Sequence, residues 1–205
     1  MTDRREHWER VYAGKAETEV SWYQPHSERS LQSIRQASPD HSASVIDVGG
    51  GASRLVDDLL DDGFADIAVL DLSEAALAQS KARLGERAAK VAWIVADVTH
   101  WRPARTWAIW HDRAVFHFLT EPASQDAYVA ALTAATMPGA TIVLATFALD
   151  GPEKCSGLPV QRYSPVGLAA RLGPGFALTA EAAETHLTPW GAQQKFSHAV
   201  LKRLG

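Results

Sequence analysis

The stretch Val45-Ile46-Asp47-Val48-Gly49-Gly50-Gly51 decides the fold. Its first four residues are apolar except for Asp47, and the run is too short for a stable helix. It reads as a buried strand that stops at three consecutive glycines. Glycine lets the backbone turn sharply and lets a ligand approach it closely. Residues 53–62 follow with Leu55, Leu59 and Leu60 at helical spacing, and Gly63 stops them. The unit is therefore strand, tight turn, helix.

The same alternation continues outward. Residues 67–70 form a second apolar run. Ser73 reads as an N-cap before the Ala- and Leu-rich segment 74–84, which Gly85 closes. Residues 91–96 read as a third strand, 107–110 as a fourth and 141–147 as a fifth. A helix over 125–136, closed by Met137-Pro138-Gly139, precedes the fifth. Strands that alternate with helices pair in parallel and cover both sheet faces. The expected fold is an α/β, doubly wound Rossmann-like sandwich. Residues 176–188 and 196–204 have no helix between them and predict an antiparallel hairpin. Upstream, two short helical stretches flank a loop-like segment over 14–25 that carries Trp22 and Tyr23. The expected organisation is one domain over 1–205, with a helical lid region at 1–40 and a cofactor-binding core at 41–150. A substrate-side loop, helix and hairpin occupy 151–205.

Composition narrows the classes. The 205 residues suffice for one sizeable core, and 46% hydrophobic with 21% charged residues is the balance of a globular protein. A formal net charge of -4 with no basic run argues against a nucleic-acid partner, which needs clustered Lys and Arg. No apolar run approaches the roughly 20 residues that span a bilayer, so no membrane partner is expected. The N-terminus has no apolar core of the signal-peptide kind. The lone Cys155 builds neither an intrachain disulfide nor a thiolate cluster, and its own role stays open. No metal-ligand spacing occurs. Cytoplasmic location is the expectation, and nothing in the sequence specifies an oligomeric state.

In an open parallel sheet, ligands bind beyond the carboxyl ends of the strands. Three features collect there: the turn Gly49-Gly50-Gly51, Asp71 after the second strand, and Asp97 after the third. A carboxylate at Asp71 can accept both hydroxyls of a ribose, and one at Asp97 an adenine amino group. Each acid also has a local reading, Asp71 beside the N-cap Ser73 and Asp97 capping the turn at Val98-Thr99. A nicotinamide fingerprint needs a third glycine where this chain has Arg54, and a helix N-terminus for the pyrophosphate. Asp47, just before the glycines, would repel a pyrophosphate and suits a cationic ligand. S-adenosylmethionine carries a sulfonium and an ammonium and no phosphate. An NAD(P)-dependent oxidoreductase and a non-catalytic cofactor-binding module are the competing readings.

The segments 45–51, Val69-Leu70-Asp71-Leu72-Ser73 and Ile94-Val95-Ala96-Asp97-Val98 resemble three successive motifs of class I S-adenosylmethionine-dependent methyltransferases. Met137-Pro138-Gly139-Ala140 resembles the family's turn before strand five, with alanine where a second glycine is common. The segment from Trp8 to Tyr23 and the run from Trp110 to Leu119 are similar to small bacterial members, and more loosely to some protein lysine methyltransferases. The resemblance implies a seven-stranded sheet of order 3-2-1-4-5-7-6 with strand seven antiparallel. It places Asp47 and Gly49 to Gly51 at the methionine and ribose, Asp71 at the ribose hydroxyls and Leu72 at the adenine. It also places Asp97 and the Val98 backbone at the adenine amino group, and His111 beside the methionine moiety.

Methyl transfer to a protonated nucleophile needs a base. Asp112 and His117, just after the fourth strand, are the candidates, and Arg113 with His117 at i+4 could share a helix face. Structural capping by Asp112 and half-buried packing of His117 are the competing readings. Trp22, with Tyr12, is a candidate lid over a cationic centre, since aromatic faces attract cations. Plain apolar cover of the sheet edge is the other reading. The acceptor is a small molecule or a protein lysine.

Overall fold

A computed structural model describes residues 2–205. It contains helices α1 (Thr2–Gly14), α2 (Glu28–Ala37), α3 (Leu55–Asp61), α4 (Glu74–Leu84), α5 (Pro122–Ala134) and α6 (Pro165–Leu172). The main sheet is built from β1 (Val45–Val48), β2 (Ile67–Asp71), β3 (Val91–Val95), β4 (Trp107–Arg113), β5 (Thr136–Phe147), β6 (Phe176–Leu187) and β7 (Gln193–Arg203). The order across the sheet is β3-β2-β1-β4-β5-β7-β6. Strands β1 to β5 pair in parallel, and β7 runs antiparallel to both β5 and β6. The expected seven-stranded Rossmann-like sandwich is the fold of this chain.

Strand alternation divides the core into two layers. Val45, Ile67, Val69 and Ile109 face α2, α3 and α4, where Leu31, Ile34, Leu55, Leu59 and Leu77 meet them. Ile46, Val48, Trp110, Ile142 and Leu144 face the other way, against Tyr128 and Leu132 of α5 and Leu168 and Leu172 of α6. Asp47 shares a face with Val45, which aims its carboxylate into the first layer at the strand's carboxyl end.

Two local expectations are corrected. The fourth strand does not stop at residue 110. His111, Asp112 and Arg113 pair with Val143, Leu144 and Ala145 of β5 and belong to the strand. Arg113 and His117 therefore share no helix face, because His117 lies in a separate 3-10 turn, Phe116–Phe118. The segment 136–140 also lies within β5: Thr136 pairs with Trp107, the register shifts before Thr141 resumes the pairing, and Gly139 sits at φ 87°.

Helix α1 docks through a contact that the sequence pattern did not reveal. Glu9 accepts hydrogen bonds from the backbone N–H groups of Glu74 (2.7 Å) and Ala75 (3.1 Å), and from the Ser73 hydroxyl at 3.2 Å. A carboxylate satisfies the free N–H groups at the start of α4 and favours its dipole. Glu17 then pairs with both Arg54 and Arg83. These contacts draw the N-terminal segment across the carboxyl edge of the sheet. We expect Glu17→Gln to loosen it, measured as faster amide exchange over residues 15–24 with little change in the core strands. Unchanged exchange there would assign the fastening to other contacts.

Candidate active site

Each glycine of the turn leaves room for a particular neighbour. A Cβ on Gly49 would lie 2.0 Å from Val115 Cγ2, one on Gly50 2.4 Å from Asp47 Oδ2, and one on Gly51 2.7 Å from Asp71 Oδ2. Gly49 and Gly51 also hold positive φ, 72° and 35°. The turn is therefore glycine because two carboxylates crowd against it. Gly49 lines the large cavity beside it and shares a smaller one with Gly50, whereas Gly51 lines neither and admits Asp71.

The larger cavity opens at the carboxyl edge of the sheet. One half is walled by Asp71, Leu72, Asp97 and Val98 from the ends of β2 and β3. Asp71 is 7% exposed; its Oδ1 accepts the Ser73 N–H at 2.8 Å, and its Oδ2 has no hydrogen bond to the described residues. Burial, with Asp47 and Glu9 nearby, pushes this carboxyl up to about 7. Asp97 accepts the Thr99 N–H (2.9 Å) and hydroxyl (2.7 Å) on one oxygen. Burial acts to raise it, but the Thr99 bonds outweigh that and hold it below the usual carboxylate range. Asp97 both caps its turn and lines the cavity.

Asp47 is 3% exposed and lies 2.7 Å from Nδ1 of His111, which is also 3% exposed. Nε2 of that imidazole is 2.8 Å from the Ser30 hydroxyl on α2. Asp47 is thus engaged by a buried imidazole rather than left bare, which the sequence argument about its anion did not include. Asp47, Gly49, Gly50 and His111 line the smaller adjoining cavity, with Tyr12, Trp22 and Arg113 at its boundary with the large one. Tyr12 and Trp22 line both, with ring centroids 6.0 Å apart, and Trp8 packs on each.

The two candidate bases do not line either cavity. Asp112 is fully buried and accepts hydrogen bonds from Val115 N–H (2.8 Å), Phe116 N–H (3.1 Å) and the Tyr128 hydroxyl (2.6 Å). Burial pushes its carboxyl up to about 6 even so. His117 is fully buried, accepts the Phe147 N–H at 3.3 Å, and is pushed down to about 3 by burial and by Arg113. Asp112 caps the turn that follows it, and His117 packs in the core beside Phe147, so both side chains lie away from the two cavities. Sequence reading placed Arg113 nearby but did not pick out Phe118, Phe147, Gln194 or Phe196 as cavity walls. Three of these come from strands and the hairpin far from the glycine turn, so only the sheet order brings them to it.

Residues 45–139 match the family model described as a methyltransferase domain. Over 94 residues the chain is 30% identical to mouse eEF1A lysine and N-terminal methyltransferase, a match covering 46% of this chain and 13% of that protein. The N-methyltransferase NodS of Bradyrhizobium japonicum, in complex with S-adenosyl-l-homocysteine, superimposes with a TM-score of 0.74 at 12% identity, covering 98% of this chain and 99% of that one. A SAM-dependent methyltransferase from Anabaena variabilis gives 0.74 at 15% identity, over 98% and 95%. The structural likenesses define the fold. Residues 45–139 carry the likeness to a methyltransferase domain in sequence, and the whole chain carries it in fold.

Proposed function

We propose that this chain, acting as one unit, transfers a methyl group from S-adenosylmethionine to a small molecule or a protein side chain. The observation that carries this is the glycine turn flanked by two buried carboxylates, Asp47 and Asp71, with Asp97 at the next strand end. Above the pH at which Asp71 ionises, carboxylates crowded against the turn disfavour the pyrophosphate of a nicotinamide cofactor. A cytoplasmic setting fits the unpaired, buried Cys155. No helix among the described residues is long and apolar enough to cross a membrane.

The residues fit this cofactor. Asp71 has an oxygen free for ribose hydroxyls, Leu72 and Val98 offer apolar walls for an adenine, and Asp97 stands beside them. Asp47, oriented by His111, and the Gly49–Gly50 backbone stand where the methionine end would lie. Tyr12 and Trp22 cover the junction and exclude water. When bound, S-adenosylmethionine supplies a methyl group already activated on a sulfonium. What remains for the chain is to orient two reactants and keep the site dry.

Calorimetry with S-adenosylhomocysteine tests the reading, and absence of binding at millimolar ligand overturns it. The pH dependence has a definite sign. In the free protein Asp71 holds a proton below about 7. Hydroxyls donating to it favour the ionised form. Binding at pH 6 should therefore release a proton, and affinity should fall as pH drops below 7. Titrations in two buffers of different ionisation enthalpy measure this, and Asp71→Asn should abolish the release.

A further inference from the structure

The half of the cavity away from Asp71 and Asp97 is contributed by β4, β5 and β7. Trp22, Phe118, Phe147 and Phe196 make its walls, and Arg113, Cys155 and Gln194 are its polar side chains among the described residues. Arg113 ends β4 with its side chain 10% exposed and its guanidinium 4.2 Å from the Phe196 ring centroid. Its hydrogen bond to Glu184 is long, 3.3 Å from one Nη, and its Nε has no partner. Glu184 is already engaged by Gln24 Nε2 at 2.7 Å and His198 Nε2 at 2.5 Å. A guanidinium carries five N–H donors, and leaving them unpaired out of water is costly. Gln194 likewise has a buried Oε1 without a partner. Burial acts on the same guanidinium, lowering its pKa from the ordinary arginine value.

The proton chemistry of this half is equally specific. No Asp, Glu, His or Lys lines it among the described residues. Cys155 is a neutral thiol, pushed up to about 11 by burial. An ammonium arriving here finds nothing to take its proton, whereas an anion has no proton to lose.

Resting on the methyltransferase reading, we propose that the acceptor is a small, largely apolar anion, a carboxylate or thiolate, whose charge sits on Arg113 between the aromatic walls. Arg113 is then the specificity-determining residue, and Gln194 receives any donor that the acceptor carries. An amine acceptor such as a lysine side chain is disfavoured by the same two features. A planar fork suits a carboxylate better than a point charge does.

The test titrates benzoate, benzamide and benzylamine into the protein loaded with S-adenosylhomocysteine. Benzoate should bind at least tenfold more tightly than the other two. Arg113→Met should erase that preference while leaving the affinity for S-adenosylhomocysteine within threefold. Should Arg113→Met fail to fold, Arg113→Lys, which keeps the charge and loses the fork, should reduce the preference severalfold. Preference for benzylamine, no benzoate binding at millimolar concentration, or benzoate binding unchanged by a folded Arg113 variant overturns the proposal. A folded variant that loses S-adenosylhomocysteine assigns Arg113 to the cofactor and overturns it too. If the wild type itself fails to bind S-adenosylhomocysteine, the broader reading fails, and benzoate titrated into the free protein still reads the role of Arg113.

Discussion

Replacing Asp71 with alanine should weaken S-adenosylhomocysteine binding about a hundredfold or more. Two hydroxyls donating to a carboxylate contribute roughly 1.5–3 kcal/mol each. Their loss amounts to about 3 kcal/mol at the low end, and each 1.4 kcal/mol is a factor of about ten. The fold should survive, because the hydrogen bonds of the Asp71 carboxylate go to backbone N–H groups of the adjoining turn and to no distant element. Removing a buried carboxyl that resists ionisation also offsets part of that loss. Calorimetry at pH 8, where the wild-type carboxyl is ionised, gives the full effect. An unchanged affinity removes Asp71 from the site.

Asp112→Ala is expected to show the opposite profile, a large stability loss. The substitution leaves two backbone N–H groups and the Tyr128 hydroxyl without their acceptor in the core. Unpaired buried groups of this kind cost about 1–3 kcal/mol each, and breaking such a cluster about 3–5 kcal/mol. For a chain of this size each kcal/mol lowers Tm by about 2–4 °C, so a fall of roughly 6–20 °C is expected. A catalytic base would instead show lost turnover at unchanged Tm. The linkage sign gives a second readout. The folded carboxyl titrates near 6, above the usual unfolded value of about 4. The folded state therefore binds more protons in that window, and stability from this group falls as pH rises through it. Asp112→Asn should flatten this component of the stability profile.

The two carboxylates show where sequence reading stops. Asp71 is recognisable from its place after a strand and about 20 residues beyond the glycines. Asp112 also stands at a strand's carboxyl end, yet its neighbours fold back to bond it, and Tyr128 reaches it from α5. Chain position is the same kind of signal in both cases, and only the surroundings separate a ligand-facing acid from an internal cap.

Periodicity and punctuation alone determined the strand and helix alternation, the terminal hairpin and the glycine turn, because these depend on residues adjacent in the chain. The opening stretch, Val45 to Gly51, was legible for that reason. Its glycines acquired a cause only in three dimensions, where the carboxylates of Asp47 and Asp71 and the side chain of Val115 crowd against them. The tertiary structure also decided the partner of Asp47, the docking of α1 through Glu9, and the aromatic walls around Arg113. Each of these joins segments far apart in sequence, and the sheet order that brings them together leaves no local pattern in any of them.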